Sequence, residues 1–222
     1  MIHTEKSAAT PARYIAIEGP IGVGKTSLCK RLATTFGYDL LLEKSDENPF
    51  LDRFYQNRKQ HALPTQLFFL LQRAEQLRGM GQADTANPAT IADFLLDKDQ
   101  LFAKQTLDSE EYSLYLNIYK RLNLKAPSPD LVIYLQAPTD VLLERIQKRG
   151  ILSEQYIHRS YLEKLNEAYT EFFHYYKQSS LLIVNSSEID LVNNEGDYQQ
   201  MVEYIVGLPS GTHYFNPKPN FI

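Results

Sequence analysis

The sequence predicts an α/β fold of three layers, in which a central five-stranded parallel sheet is flanked by helices. Two observations predict it. Short apolar segments of strand length alternate along the 222 residues with amphipathic segments of helical period. The first strand runs through a glycine-rich turn directly into a helix, a connection that parallel sheets use to bind phosphate. The length suits one well-buried core, so a single domain over residues 1–222 is expected.

The predicted strands are short and bounded by turn residues or by helical segments. They are residues 13–18, 39–43, 90–93, 130–136 and 181–185. Three consecutive leucines in the second of them predict a strand that is buried on both faces. We expect the segment 181–185 to be the last strand of the sheet.

Helical segments fill most of the chain between these strands. They are residues 25–36, a segment from about 48, a segment after Pro64, then 95–107, 109–124, 138–149, a long helix after 157, and 198–206. The remaining segments are polar or rich in proline. We therefore expect a flexible leader over 1–12, a loop over 83–88 and an irregular tail over 207–222.

The turn after the first strand has the composition of a phosphate-binding loop. Residues 19–26 fit G-x-x-x-x-G-K-[ST], the sequence signature of the P-loop NTPase type of this fold. Glycines let successive N–H groups turn toward phosphate oxygens, and the following helix presents its positive end to the same anion. Lys25 is suited to the β- and γ-phosphates of ATP, and the Thr26 hydroxyl is suited to Mg²⁺. The residues expected to bind the nucleotide are Gly19, Pro20, Ile21, Gly22, Val23, Gly24, Lys25, Thr26 and Ser27.

Two carboxylates follow predicted strands, Glu43 after the second and Asp93 after the third. Ligands of open parallel sheets bind outside the carboxyl ends of the strands, so both side chains are expected beside the phosphate loop. A kinase that acts on a hydroxyl needs a carboxylate to take the proton, an acceptor pocket and cations over the transferred group. Glu43 is the candidate base. Arg145 and Arg149 lie at one helix end, where a mobile lid is expected over about 149–156.

Composition excludes several other classes of protein. The formal net charge of -4 gives no basic footprint for nucleic acid. The single cysteine, Cys29, has no disulfide partner in the chain, which is typical of a reducing compartment. The sequence contains no run of about 18 apolar residues that would predict a membrane span. It also has no apolar segment near its start that would predict a secretory signal. We expect a cytoplasmic protein that binds neither nucleic acid nor membrane.

Taken together and in order, the motifs resemble the deoxynucleoside kinase family, and most of all its bacterial deoxyadenosine and deoxyguanosine kinases. The resemblance spans about residues 13–206. It is carried by the phosphate loop, Glu43, the segment 48–55, Gln66 with Arg73, the segment 93–103, and the segment 145–154 followed by 161–169.

The resemblance implies a role for each of these residues. Glu43 resembles the base that accepts the proton of the 5′-hydroxyl, while Lys25 and the loop amides hold the donor phosphates. Arg145 and Arg149 match the lid arginines that neutralise charge on the phosphoryl group. The family also implies a homodimer.

Other matches concern the acceptor. Gln66 matches the amide that pairs with the nucleobase edge, since an amide is both donor and acceptor. Tyr55 and Glu154 match the pair that binds the 3′-hydroxyl of the deoxyribose. Arg73, close to Gln66 on the predicted helix, is a cation that suits a purine. The expected substrate is therefore deoxyguanosine or deoxyadenosine, with deoxycytidine left open.

Two departures from the family pattern concern the third strand and the lid. Many members have an acid followed by an arginine where this chain has Ala92, Asp93 and Phe94. Asp93 corresponds either to the family's acid, which positions Mg²⁺ through water, or to its arginine. In the second case the arginine is absent, and Lys98 is the candidate replacement cation. Ile151 occupies a lid position that is often basic.

Two other functions that use the same phosphate-binding loop remain as alternatives. A nucleoside monophosphate kinase of the thymidylate type would need an additional basic site for the acceptor phosphate. A nucleotide-dependent switch usually carries Asp-x-x-Gly at a strand end, and the strand that ends at Gln136 lacks it.

Overall fold

The structure, a computed structural model, describes residues 12–82, 89–122 and 126–216. All of the strands in the described residues belong to one parallel sheet, whose order is β2-β3-β1-β4-β5-β6. They are β1 (Tyr14–Glu18), β2 (Asp39–Leu41), β3 (Thr90–Ala92), β4 (Leu131–Gln136), β5 (Ser180–Asn185) and β6 (Thr212–Phe215).

Helices connect these strands and cover the sheet. They are α1 (Lys25–Phe36), α2 (Leu51–Gln56), α3 (Arg58–Gln82), α4 (Lys98–Thr106), α5 (Ser109–Leu122), α6 (Thr139–Arg149), α7 (Arg159–His174) and α8 (Glu195–Val206). Two 3₁₀ helices lie at Ser45–Glu47 and Leu152–Tyr156. In the described residues, no helix combines the length and the apolar character needed to cross a membrane.

The core lies on both faces of the sheet because successive residues of a strand point to opposite sides. Ile133 packs with residues of α1 and α8, whereas its neighbours Val132 and Tyr134 pack with residues of α7. Every residue of β1 is buried. This arrangement confirms the predicted three-layer α/β fold.

The predicted strand count is wrong, because the sheet has a sixth strand within the segment that was predicted to be an irregular tail. β6 pairs with β5, so the segment 181–185 is not the last strand. Only Phe215 of β6 is buried, and Tyr214 is exposed. A four-residue edge strand buries too little to leave an alternating pattern that the sequence would reveal. The end of the predicted tail, 217–222, lies outside the described residues.

Two further predictions are corrected by the structure. β2 is an edge strand rather than a doubly buried one, and Leu40 is 40% exposed. The leucines of this segment contact different clusters: Leu41, the last residue of β2, packs on a cluster with Phe94, while Leu42, just after β2, packs on the main core. Helix α3 begins before Pro64 and passes through it. A proline inside a helix removes one N–H and crowds the preceding turn, but the buried Ala62 holds that turn against the core.

Two predicted segments cannot be compared with the structure. The predicted loop 83–88 and residues 1–11 of the predicted leader lie outside the described residues.

Candidate active site

The phosphate loop connects β1 to α1 and lies against the end of β4. Gly19 has φ +147°, and a Cβ there would lie 2.4 Å from the carbonyl oxygen of Leu135. Only glycine fits this contact. Lys25, the first residue of α1, donates from Nζ to the carbonyls of Gly19 at 2.7 Å and Pro20 at 3.1 Å. Burial lowers the pKa of Lys25, and the nearby charge of Lys98 acts in the same direction.

A cavity lies beside this loop, and most of the predicted site residues line it. They are Ile21, Gly22, Lys25, Thr26, Glu43, Tyr55, Gln66, Arg73, Asp93, Lys98, Arg149 and Glu154. They come from six different segments of the chain, yet the ends of β2 and β3 and one face of α3 bring them together. Arg145 lines a neighbouring cavity together with Val23, Gly24 and Ser27, and Gly19 and Pro20 line neither of the two cavities.

Asp93 joins the phosphate loop to the candidate base. Its Oδ2 accepts a hydrogen bond from the Thr26 hydroxyl at 2.6 Å, and its Oδ1 accepts one from the backbone N–H of Glu43 at 2.7 Å. Asp93 is 4% exposed. The two strand-end carboxylates therefore lie side by side at the loop, as the rule for parallel sheets predicts.

The Glu43 carboxylate is held by Arg73. Its Oε1 accepts from Nε of Arg73 at 2.8 Å and also from Nη2, while no described residue bonds to Oε2. Burial raises the pKa of Glu43, but the charges of Arg73 and Lys98 outweigh it and lower that pKa to about 2. Glu43 is therefore ionised at neutral pH, with one oxygen free for a ligand.

Arg73 also bonds to a second carboxylate behind the cavity. Its Nη1 donates to Asp99, which is fully buried, and the other oxygen of Asp99 accepts from the Tyr115 hydroxyl at 2.5 Å. Burial raises the pKa of Asp99, and this effect is opposed by Arg73 and Tyr115. The guanidinium is thus shared between a carboxylate that faces the cavity and one that does not.

Gln66, which also lines the cavity, presents an amide with an unused acceptor. Its Nε2 lies 3.4 Å from the Thr106 hydroxyl, whereas its buried Oε1 has no partner in the described part of the chain. Buried polar atoms are rarely left unpaired. The free oxygen therefore indicates a ligand donor in this cavity. Tyr55, which is also buried here, has its pKa raised by burial.

The predicted lid carries an ion pair between two predicted site residues. Arg149, at the end of α6, donates from Nη2 to both carboxylate oxygens of Glu154, at 2.6 and 2.5 Å. Arg145 instead donates to backbone carbonyls, to Val23 at 3.2 Å and to Ser186 at 2.7 Å. It lines the second cavity together with residues 186–193.

Comparison with known proteins identifies the family of this chain. The sequence model of the deoxynucleoside kinase family matches residues 15–208. The chain belongs to this family. It is an enzyme, a phosphotransferase that acts on deoxynucleosides, and the resemblance stated from its motifs is confirmed.

Individual relatives match over nearly their whole length. A deoxyguanosine kinase from Bacillus subtilis is 35% identical over 207 residues, which cover 89% of this chain and 98% of the relative. A deoxyadenosine/deoxycytidine kinase from the same organism is 28% identical over 202 residues, covering 87% of this chain and 92% of the relative. The solved structure of deoxyadenosine kinase from M. mycoides with bound dATP superimposes with a TM-score of 0.75 at 28% identity, covering 86% of this chain and 98% of that one.

Several residues that build this kinase site were not found from the sequence. Glu18, fully buried at the end of β1, accepts hydrogen bonds from the N–H groups of Gly19 and Leu95 and from the Tyr169 hydroxyl. It is a strand-end carboxylate like Glu43 and Asp93, so the same rule could have found it. Asp99, Thr106 and Tyr115 carry no such signal, because their partners lie far away in the sequence.

Proposed function

We propose that this kinase transfers the γ-phosphoryl group of ATP to the 5′-hydroxyl of a purine deoxynucleoside, with Glu43 as the base. In this step the 5′-oxygen bonds to the γ-phosphorus and the bond to the β,γ-bridging oxygen breaks. The proton of the hydroxyl passes to Glu43, and ADP leaves. The observation that carries the proposal is the free Oε2 of Glu43, which lies in the cavity that the phosphate loop also lines.

The donor phosphates would lie on the loop, where Lys25 exchanges its two backbone carbonyls for phosphate oxygens. The second cavity adjoins the start of α1 and is lined by Arg145 and residues 186–193. We assign the base of ATP to this cavity. Arg145 and Arg149, which line its wall, are then within reach of the phosphates, where cations stabilise the transferred group.

Thr26 and Asp93 are suited to Mg²⁺. They supply a hydroxyl and a carboxylate oxygen, both of the hard type that Mg²⁺ prefers. Among the described residues, no three or more histidine, cysteine or acidic side chains are placed so that they could hold a metal ion by themselves. This fits Mg²⁺, which usually keeps several waters and binds one or two carboxylates together with substrate phosphates. The bound ion would neutralise charge on the β- and γ-phosphates. The contact with Thr26 favours Asp93 as the family's acid rather than as a replacement for its arginine.

The acceptor would lie between Gln66 and Glu43. The free Oε1 of Gln66 can accept from a base donor, and Tyr55 and Glu154 line the cavity where the 3′-hydroxyl would lie. An acceptor oxygen suits both guanine N1–H and adenine N6–H. The Gln66 amide therefore does not distinguish deoxyguanosine from deoxyadenosine. The relative with 35% identity is a deoxyguanosine kinase, which favours deoxyguanosine, and Arg73 lines the same cavity.

The wider organisation of the molecule is also part of the proposal. We propose a single domain, a lid over about 149–156 that contains the Arg149–Glu154 pair, and a homodimer. The absence of nucleic-acid and membrane partners and the cytoplasmic location stay predictions from the sequence. Light scattering would test the homodimer.

The central test is Glu43→Gln, assayed with ATP, Mg²⁺, each of the four deoxynucleosides and dTMP. Loss of a general base typically lowers turnover by about 10² to 10⁴, while binding of a fluorescent ATP analogue should be retained. Glu47→Gln is the matched control, because Glu47 is half exposed and, within the described part of the chain, its carboxylate pairs with Lys44 and Gln72 alone. Undiminished turnover in Glu43→Gln would contradict the assigned role, and a preference for dTMP would favour the thymidylate-type alternative.

A further inference from the structure

A buried lysine in the acceptor cavity has no function in the scheme so far beyond lining it. Lys98 is the first residue of α4 and is 3% exposed. It lines the same cavity as Lys25, Glu43 and Asp93. Burying an ammonium group is costly unless it is paired, and a buried ion pair is often no more stabilising than apolar residues of similar volume. Stability alone therefore does not account for a charge at this position.

Glu18 fixes the position of Lys98. Its Oε1 lies 3.0 Å from Nζ of Lys98 and accepts the N–H of Leu95 at 2.7 Å. Its Oε2 accepts the Tyr169 hydroxyl at 3.0 Å and the N–H of Gly19 at 3.1 Å. Each carboxylate oxygen thus has two partners, which come from the phosphate loop, the start of α4 and α7. A carboxylate held in this way cannot rotate, and so it holds the ammonium group in one place.

The ammonium group keeps hydrogen-bond capacity for a ligand. It has three donors, and within the described residues Glu18 is its one charged partner. Its charge lowers the pKa of both Lys25 and Glu43, after the larger effects of burial on each and of Arg73 on Glu43. Lys98 is therefore close to the donor-phosphate lysine and also to the candidate base, which are the two sides between which the phosphoryl group moves.

The arginines of the site are held by other groups. Arg73 is shared by Glu43 and Asp99, and Arg149 is paired with Glu154. The residue next to Asp93 is Phe94, which carries no charge. Lys98, by contrast, is a buried cation that lines the cavity between Glu43, the candidate general base, and the phosphate loop.

We infer that Lys98 is a catalytic residue that donates to the phosphoryl group during transfer, and that Glu18 is the positioning residue that holds it there. The inference rests on the proposed function, because it needs a phosphoryl group to pass between the loop and Glu43. It assigns Glu18 a role in the reaction through Lys98 and not through substrate contact. Removal of one such donor usually lowers turnover by about 10² to 10³.

The test compares Lys98→Ala with the double variant Lys98→Ala/Glu18→Gln, using the full chain, ATP, Mg²⁺ and the best deoxynucleoside of the wild type. Lys98→Ala leaves Glu18 as an unpaired buried charge, so it should lower both the thermal midpoint and kcat. The double variant removes both charges and should regain stability. We expect its kcat to stay about 10² to 10³ below the wild type, with KM values changed much less.

Chemical rescue separates the two residues. Ethylammonium can occupy the space of the missing side chain and pair with Glu18, so it should raise the kcat of Lys98→Ala but not that of the double variant. Ethanol at the same concentration is the neutral control. The inference is overturned if the double variant turns over within about threefold of the wild type, because Lys98 is then only a counter-ion. A wild type that phosphorylates no deoxynucleoside would instead refute the proposed function.

Discussion

Arg73→Met offers a quantitative test of the charge arrangement behind the cavity. In the wild type, Arg73 is 3% exposed, and its guanidinium bonds to both Glu43 and Asp99. Methionine keeps much of the apolar stem and removes the charge. Asp99 then remains fully buried with the Tyr115 hydroxyl as its one partner among the described residues.

The expected loss of stability is large and depends on pH. In the wild type the pKa of Glu43 falls from 4.5 to about 2. An acid whose pKa is lowered by folding stabilises the folded state at pH values above its unfolded pKa, here by about 3 kcal/mol. This contribution is lost as the pH falls from 4.5 toward 2. Breaking a buried ion pair costs about 3 to 5 kcal/mol. In the variant, burial raises the pKa of both carboxylates without opposition from Arg73. Protonation then relieves the unpaired charges at lower pH.

The free energy of unfolding should be measured by urea denaturation at pH 8 and pH 5. We expect a deficit of about 3 to 5 kcal/mol at pH 8 that shrinks at pH 5, with an unchanged slope against urea. Arg78→Met, on the exposed side of the same helix, is the matched control and should stay within about 0.5 kcal/mol of the wild type. An equal deficit at both pH values, or one below about 1 kcal/mol, would refute the buried-charge argument.

Two further predictions concern the loop and the residue behind Asp99. Gly19→Ala forces a Cβ to within 2.4 Å of a β4 carbonyl and should abolish binding of an ATP analogue. Gly37→Ala, whose Cβ meets open space at φ +67°, should cost only about 1 to 2 kcal/mol in thermal unfolding and leave binding intact. Tyr115→Phe leaves a buried carboxylate oxygen unpaired and should cost about 1 to 3 kcal/mol. Tyr112→Phe, from the ring stacked on Tyr115, should cost less than about 0.5 kcal/mol; equal losses in the two tyrosine variants would contradict this explanation.

The sequence was sufficient to predict the layers of the fold and the residues that meet at the loop, because both follow from local rules. Alternation of strands and helices predicts a parallel sheet, and the carboxyl ends of parallel strands share one edge. Glu43 and Asp93 were placed together by that rule, and the structure joins them through one hydrogen bond. Gln66 and Arg73 lie about two turns apart on one helix, so helical periodicity was enough to place them on one face.

Features that depend on distant partners could not be predicted in this way. β6 is a strand only because the edge of β5 accepts it, and its own residues carry little pattern. Leu40 belongs to a run of three leucines that suggests burial, but strand order, which the run does not encode, leaves it at an edge. Tyr115 meets Asp99 through the packing of α5 against α4. Nothing in the local sequence of either helix indicates that contact.

The partners of the site arginines distinguish fixed parts of the site from parts that can exchange. Arg73 and Asp99 are buried, so separating them would leave charges in a medium that cannot solvate them. The side chain of Arg149 is 44% exposed in its pair with Glu154, whereas that of Glu154 is only 11% exposed. Water or a phosphate can solvate the released guanidinium, but the buried carboxylate needs a replacement donor, and the 3′-hydroxyl of the acceptor would be that donor under the proposed function. We expect Arg73 to keep its contacts on ligand binding and Arg149 to change its own.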